Sequence, residues 1–246
     1  MTDVGRTGAR LARIVLSGPE LVGFAVTEPA ASVRLLLPSP GSELVLPSWN
    51  GNEFLLAGGQ RPIIRTLTPR DTDATAGTLV VEILLHGDGG ASRWAATCEP
   101  GAAVAISGPG RGYTIAADAP AFLLAGDETA IPAMSQLLEA LPPTTPVQVI
   151  VEVAAPDGRV GLPSHPSATV AWHDLAPHDP PGTALVAAVR EATPGPDTRI
   201  WVAGEAAAVQ RIRRFLFEER AFPRGQATVR GYWKQGRRGS DDLSSG

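Results

Sequence analysis

Cysteine occurs once in the 246 residues, at Cys98, so an internal disulfide and a cluster of cysteine metal ligands are both excluded. The residue reads as a small buried hydrophobe. Lysine is equally scarce: Lys234 stands alone among 21 basic residues, the rest arginine. With 27 glycines and 23 prolines this reflects a coding bias, and the mere presence of an arginine carries little weight. Apolar runs are short. None reaches the roughly 18–20 residues that cross a bilayer, and Met1-Thr-Asp-Val-Gly-Arg6 lacks the charged-then-apolar order of a signal peptide, so a cytoplasmic protein without membrane insertion is expected. A net charge of −4 argues against an electrostatically driven nucleic-acid binder. No internal repeat is visible.

At this length, and with 43% hydrophobic residues, two cores and two domains are expected. From Leu11 to about Ile115, short β runs alternate with Gly/Pro turns: 11–16, 21–26, 33–37, 63–67, 79–85 and 104–107. That spacing predicts a small antiparallel barrel. A short helix at 91–97 interrupts it. After Asp118-Ala-Pro120 wholly apolar strands (121–125, 147–153, 169–172, 199–203 and a last one at 228–233) alternate with helices at 131–141, 183–192 and 206–220, the grammar of a parallel α/β domain. In the last helix Val209, Ile212 and Leu216 share one face. Residues 177–181 read as a loop. The expected boundaries are 1–118, 119–235 and a disordered tail at 236–246.

Five segments carry candidate chemistry. In Arg65-Thr-Leu67-Thr68-Pro-Arg70, two arginines on an extended run can grip an anion through charge-assisted bonds, although paired surface arginines in a turn give the same pattern. His86-Gly87-Asp-Gly-Gly-Ala91-Ser92 leads into the short helix, whose free N–H groups suit a diphosphate. Equally, its glycines can serve a tight turn, Ser92 can cap the helix, and His86 can be structural. Gly108-Pro-Gly-Arg-Gly-Tyr113 reads as a barrel turn. The strand-to-helix junction Ala125-Gly126-Asp127-Glu128-Thr129-Ala-Ile-Pro132 has the geometry that seats a dinucleotide phosphate, with Thr129 either capping the helix or bonding the phosphate. There Asp127 and Glu128 repel the phosphate unless turned away, and otherwise belong to a solvated loop. Trp201-Val-Ala-Gly204-Glu205 forms a second junction at the same sheet edge.

Together these motifs, closed by Gly231-Tyr232-Trp233, resemble the siderophore-interacting protein family, FAD-containing ferric-siderophore reductases related to the ferredoxin-reductase superfamily. The resemblance spans nearly the whole chain: Arg65–Arg70 is similar to Arg-x-Tyr-Thr-x-Arg, His86–Ala95 to His-Gly…Pro-Ala-Ser-x-Trp-Ala, 125–132 to Ala-Gly-Asp-Glu-Thr-Ala-x-Pro, and 201–205 to Trp-x-Ala-Gly-Glu. It implies an FAD-binding barrel followed by an NAD(P)H-binding α/β domain, with electrons passing from NAD(P)H, or from a ferredoxin, through the flavin to the Fe(III) of a siderophore. By the same resemblance Arg65 holds the diphosphate with Arg70, Ala91 and Ser92, Thr68 meets the flavin ring, and His86, Gly87 and Trp233 belong to the cofactor site. Gly126, Asp127, Thr129, Gly204 and Glu205 line the nucleotide side. Lys234 and Arg237, with Arg238, offer positive charge to an anionic chelate. No catalytic acid, base or resident metal is implied. Two departures stand out: Leu67 replaces a tyrosine that packs on the flavin ring, and Gly90 replaces a proline. Leu67 motivates an alternative, a repurposed member that binds a small molecule or scaffolds a biosynthetic step without reducing iron; a general flavin reductase is another.

Overall fold

Residues 1–236, apart from Pro40 and Asp88, are described by the computed structural model, in two units, 1–113 and 114–236. The proposed tail, with Arg237 and Arg238, therefore lies outside the described residues except for Gly236. No helix among the described residues is long and apolar enough to cross a membrane.

In the first unit the strands are β1 (Asp3–Arg6), β2 (Leu11–Ser17), β3 (Val33–Leu37), β4 (Ser48–Trp49), β5 (Phe54–Leu55), β6 (Ile63–Leu67), β7 (Pro69–Asp73), β8 (Thr78–Leu84) and β9 (Ala105–Ser107), with helix α1 (Gly90–Thr97) between the last two. They pair as two antiparallel sheets, β1-β2-β8-β7 and β6-β3-β9, and as the small hairpin β4-β5. The expected barrel is thus two sheets around one core. Every second residue of β2, β3 and β8 supplies it: Ala12, Ile14 and Leu16, then Val33, Leu35 and Leu37, then Leu79, Val81 and Ile83, closed on one side by Ala91 and Ala95 of α1. This is the period-2 alternation of half-buried strands.

Two readings need correction. Residues 21–26 form no strand; Pro19–Leu21 is a 3-10 turn, Gly23 takes a φ of +81°, and the Val22 side chain is exposed. Gly18, Pro19 and Gly23 break the extended run that the apolar residues suggested. Conversely, Pro69–Asp73 is a strand, with proline at its first position and on a sheet edge, where the missing N–H is tolerated.

The second unit carries β10 (Phe122–Asp127), α2 (Ile131–Ala140), β11 (Val147–Val153), β12 (Ala168–Asp174), α3 (Thr183–Glu191), β13 (Arg199–Glu205), α4 (Ala206–Arg214) and β14 (Ala227–Trp233). All neighbours in the sheet β12-β11-β10-β13-β14 are parallel. Leu123, Ala125, Ile150, Ile200 and Val202 pack against Leu185 and Val189 of α3 and Val209 and Ile212 of α4. The α2 side chains Ile131, Met134 and Leu137 are buried as well. The expected helix at 206–220 keeps its α form to Arg214 and then widens into a π turn over Phe215–Glu219. Chain order reverses between β10 and β13, so this pair is the topological switch point, where open α/β sheets place ligands.

Gly126, inside β10, is required by packing alone: a Cβ there would lie 2.5 Å from Ala130 Cβ and 2.8 Å from the Ala203 carbonyl oxygen. Gly126→Ala is expected to destabilise the protein by about 1–3 kcal/mol through overpacking. Urea denaturation checks this; an unshifted midpoint would contradict the packing.

Candidate functional site

In the first unit the structure brings Arg65 to the start of α1. A Cβ built on Gly90 would sit 3.7 Å from Arg65 Nη2 and 3.5 Å from Ile63, so β6 and the helix N-terminus pass at close range. Arg65 also donates through Nη1 to the Ile64 carbonyl at 2.7 Å, which turns the guanidinium back along its own strand. The helix begins after Gly89, which brings no side-chain acceptor to its N-terminal amides. Ser92 does not act as that cap. Its hydroxyl accepts the His86 N–H at 2.9 Å and closes the loop that holds His86 and Gly87. A guanidinium beside a helix N-terminus without a side-chain cap makes an anion cradle, because dipole and donors point the same way.

Thr68 is buried where the chain leaves β6, and Arg70 lies on β7 in the other sheet. The two arginines that looked like one grip in sequence are thus carried by different sheets. Leu67 is partly buried and packs on the core of this unit.

In the second unit, Asp127 ends β10 and is buried, not solvated. Its Oδ1 accepts the Thr129 N–H at 2.9 Å and also the Thr129 hydroxyl. Its Oδ2 accepts the Glu205 N–H at 2.9 Å and Trp233 Nε1–H at 2.8 Å. One carboxylate thereby ties the ends of β10, β13 and β14. Gly204 makes room for it: its φ is +154°, and a Cβ there would lie 2.7 Å from Asp127 Oδ2.

Glu205 starts α4 and accepts the N–H groups of Ala207 and Ala208 through Oε2 at 2.6 and 3.0 Å, while Oε1 accepts the Gln235 N–H at 3.2 Å. Glu128 is buried too and accepts the Ala154 N–H at 3.1 Å. The missed member is Glu152 of β11, which accepts the N–H groups of Gly182 and Leu185 at 2.6 and 2.8 Å at the start of α3. Its partners lie about 30 residues downstream, so spacing gave no signal. Asp127 thus holds the N–H and hydroxyl of Thr129, and Glu205 and Glu152 hold the first amides of α4 and α3.

Burial raises the pKa of Asp127, against the opposing hydrogen bonds of Thr129, Trp233 and Glu205; burial likewise raises that of Glu152 against the amides of Leu185 and Gly182. An acid whose folded pKa is raised lends stability at low pH that is lost as pH rises through the raised value, so these two groups do not drive acid unfolding. Lys234, just after β14, is exposed.

Comparison with known proteins fits both halves. Residues 1–113 match the siderophore-interacting FAD-binding domain, and residues 119–236 match the siderophore-interacting protein domain. The chain is 38% identical over 195 residues to an uncharacterized protein of Mycobacterium tuberculosis, covering 74% of this chain and 69% of that one. It is 27% identical over 234 residues to the ferric vibriobactin reductase ViuB of Vibrio cholerae, covering 92% and 85%. The crystal structure of a siderophore utilization protein from T. fusca superposes with a TM-score of 0.83 at 34% identity, over 96% of this chain and 91% of that one. The chain belongs to the siderophore-interacting protein family.

Asp127→Ala would strand the Glu205 and Trp233 donors and is expected to cost about 3–5 kcal/mol. Asp127→Asn should rescue little, since its NH₂ group would face donors on at least one side. Thermal unfolding with Trp fluorescence reads both; a loss below about 1 kcal/mol in the alanine variant would contradict the role of Asp127 as the tie between strands.

Proposed function

We infer that this chain is an FAD-dependent reductase of ferric siderophores. The observation that carries the reading is the cradle formed by Arg65 and the start of α1, set within the stretch that matches an FAD-binding domain. Its residues fit a diphosphate: a guanidinium, helix amides without a side-chain cap, and a Cβ-free Gly90 that keeps the approach open.

Arg65 and the amides near Ala91 and Ser92 would hold the diphosphate, with Thr68 offering its hydroxyl toward the ring and Arg70 adding positive charge. Bound FAD supplies the electron-carrying ring. The chain supplies position and electrostatics, and no side-chain acid or base is required for electron transfer to iron. The substrate is Fe(III) in a siderophore. One electron converts it to Fe(II), which hard oxygen chelators hold less firmly, so reduction releases the metal. Likeness to a ferric vibriobactin reductase supports this assignment. Lys234, with Arg237 beyond it, would offer charge to an anionic chelate. NAD(P)H is the donor suggested by the family resemblance, and its diphosphate would meet the carboxylates of Glu205 and Glu152 at the starts of α4 and α3.

Arg65→Ala is expected to weaken FAD binding about tenfold or more, the equivalent of one charge-assisted contact. Leu67→Tyr should tighten it about two- to tenfold through a regained aromatic face. FAD titration followed by absorbance measures both. A protein that cannot be reconstituted with FAD, or unchanged affinity in both variants, would contradict the reading.

A further inference from the structure

We propose that Glu205 and Glu152 are specificity determinants that exclude a free dinucleotide from the switch point of the second unit. This builds on the reductase reading by restricting its electron donor.

In an open α/β sheet the diphosphate of a dinucleotide is held where chain order reverses, by amides at a helix start. Here that reversal falls between β10 and β13, and the Glu205 N–H is bonded to Asp127 Oδ2 directly across it. The helix amides on one face of the sheet are also taken. Ala207 and Ala208 at the start of α4 donate to Glu205, and Gly182 and Leu185 at the start of α3 donate to Glu152. Both glutamates are at most 4% exposed, so neither is a mobile surface side chain.

A diphosphate seated on either helix would have to displace the glutamate, leaving a charged carboxylate without its donors, or lie beside it and meet like charge. The helix dipoles that would attract phosphate already stabilise protein carboxylates. Gly182 closes the space further: its φ is +84°, and a Cβ there would fall 2.1 Å from Ala208 Cβ, so α3 and α4 meet without room between them at that point. The glycine-bearing junctions thus serve internal contacts: Gly126 meets Ala130, Gly182 meets Ala208, and Gly204 meets Asp127.

The test is calorimetric titration of the purified protein, before and after addition of FAD, with NADP⁺ and with NAD⁺, for the wild type, Glu205→Ser and Glu205→Gln. Serine keeps a neutral cap for α4, and glutamine keeps the length and an acceptor oxygen. The wild type should bind neither nucleotide more tightly than about 1 mM, and removal of the charge should tighten at least one of them about tenfold. If the serine variant does not fold, the glutamine variant decides alone. Micromolar binding by the wild type, or affinity unchanged in the folded variants, would overturn the proposal. Because no iron and no turnover enter the titration, its failure leaves the reductase reading standing, and failure of that reading leaves the titration meaningful.

Discussion

Asp127 is the constraint on which the second unit turns. A carboxylate this deeply buried is stable only when its lone pairs are filled, and the four donors come from Thr129, Glu205 and Trp233, residues 2, 78 and 106 positions away. Because those donors sit at or just after the ends of three parallel strands, the hydrogen bonds fix the end of β10 against β13 and fix the Trp233 ring at the end of β14. Gly204 is then obligatory, since a side chain there would collide with the same carboxylate. An acidic residue that looks ill-suited to a phosphate site is thus a structural tie.

The same logic extends along the sheet edge. Glu205 and Glu152 do for α4 and α3 what Asp127 does for the junction after β10, each satisfying amides that a helix start leaves without intrahelical partners. The first unit solves its helix start differently. There Gly89 supplies no side chain, Ser92 turns back to His86, and positive charge from Arg65 stands beside the helix. One unit presents a helix start suited to an anion, while the other fills the starts of α3 and α4 with its own anions.

Much of this architecture is legible in the sequence, because strands buried on both faces write continuous apolar runs and helices write a 3.6-residue stripe; β10, β11, β13 and α4 are of this kind. The run at 21–26 misleads because it carries no polar side chain, whereas the 3-10 turn opened by Pro19 reaches into it and Gly23 takes a φ of +81°. Strand β7 hides because proline and charges suit an edge. Motif order reveals the family. It does not reveal that Arg65 and Arg70 occupy different sheets, or that Glu152 reaches a helix about 30 residues later, because both depend on tertiary placement that no local pattern encodes.

The central claim is that the flavin-binding half of this chain delivers electrons to siderophore-bound iron. It is tested most directly by reducing the FAD-loaded protein anaerobically with light and a sacrificial amine as electron donor, which needs no nucleotide, and mixing it with a ferric siderophore in the presence of a ferrous trap. The account predicts that the oxidised flavin absorbance returns as the ferrous complex appears, with two irons reduced for each flavin reoxidised. Reduced flavin that persists in the presence of the ferric chelate, with no ferrous complex formed, would contradict it.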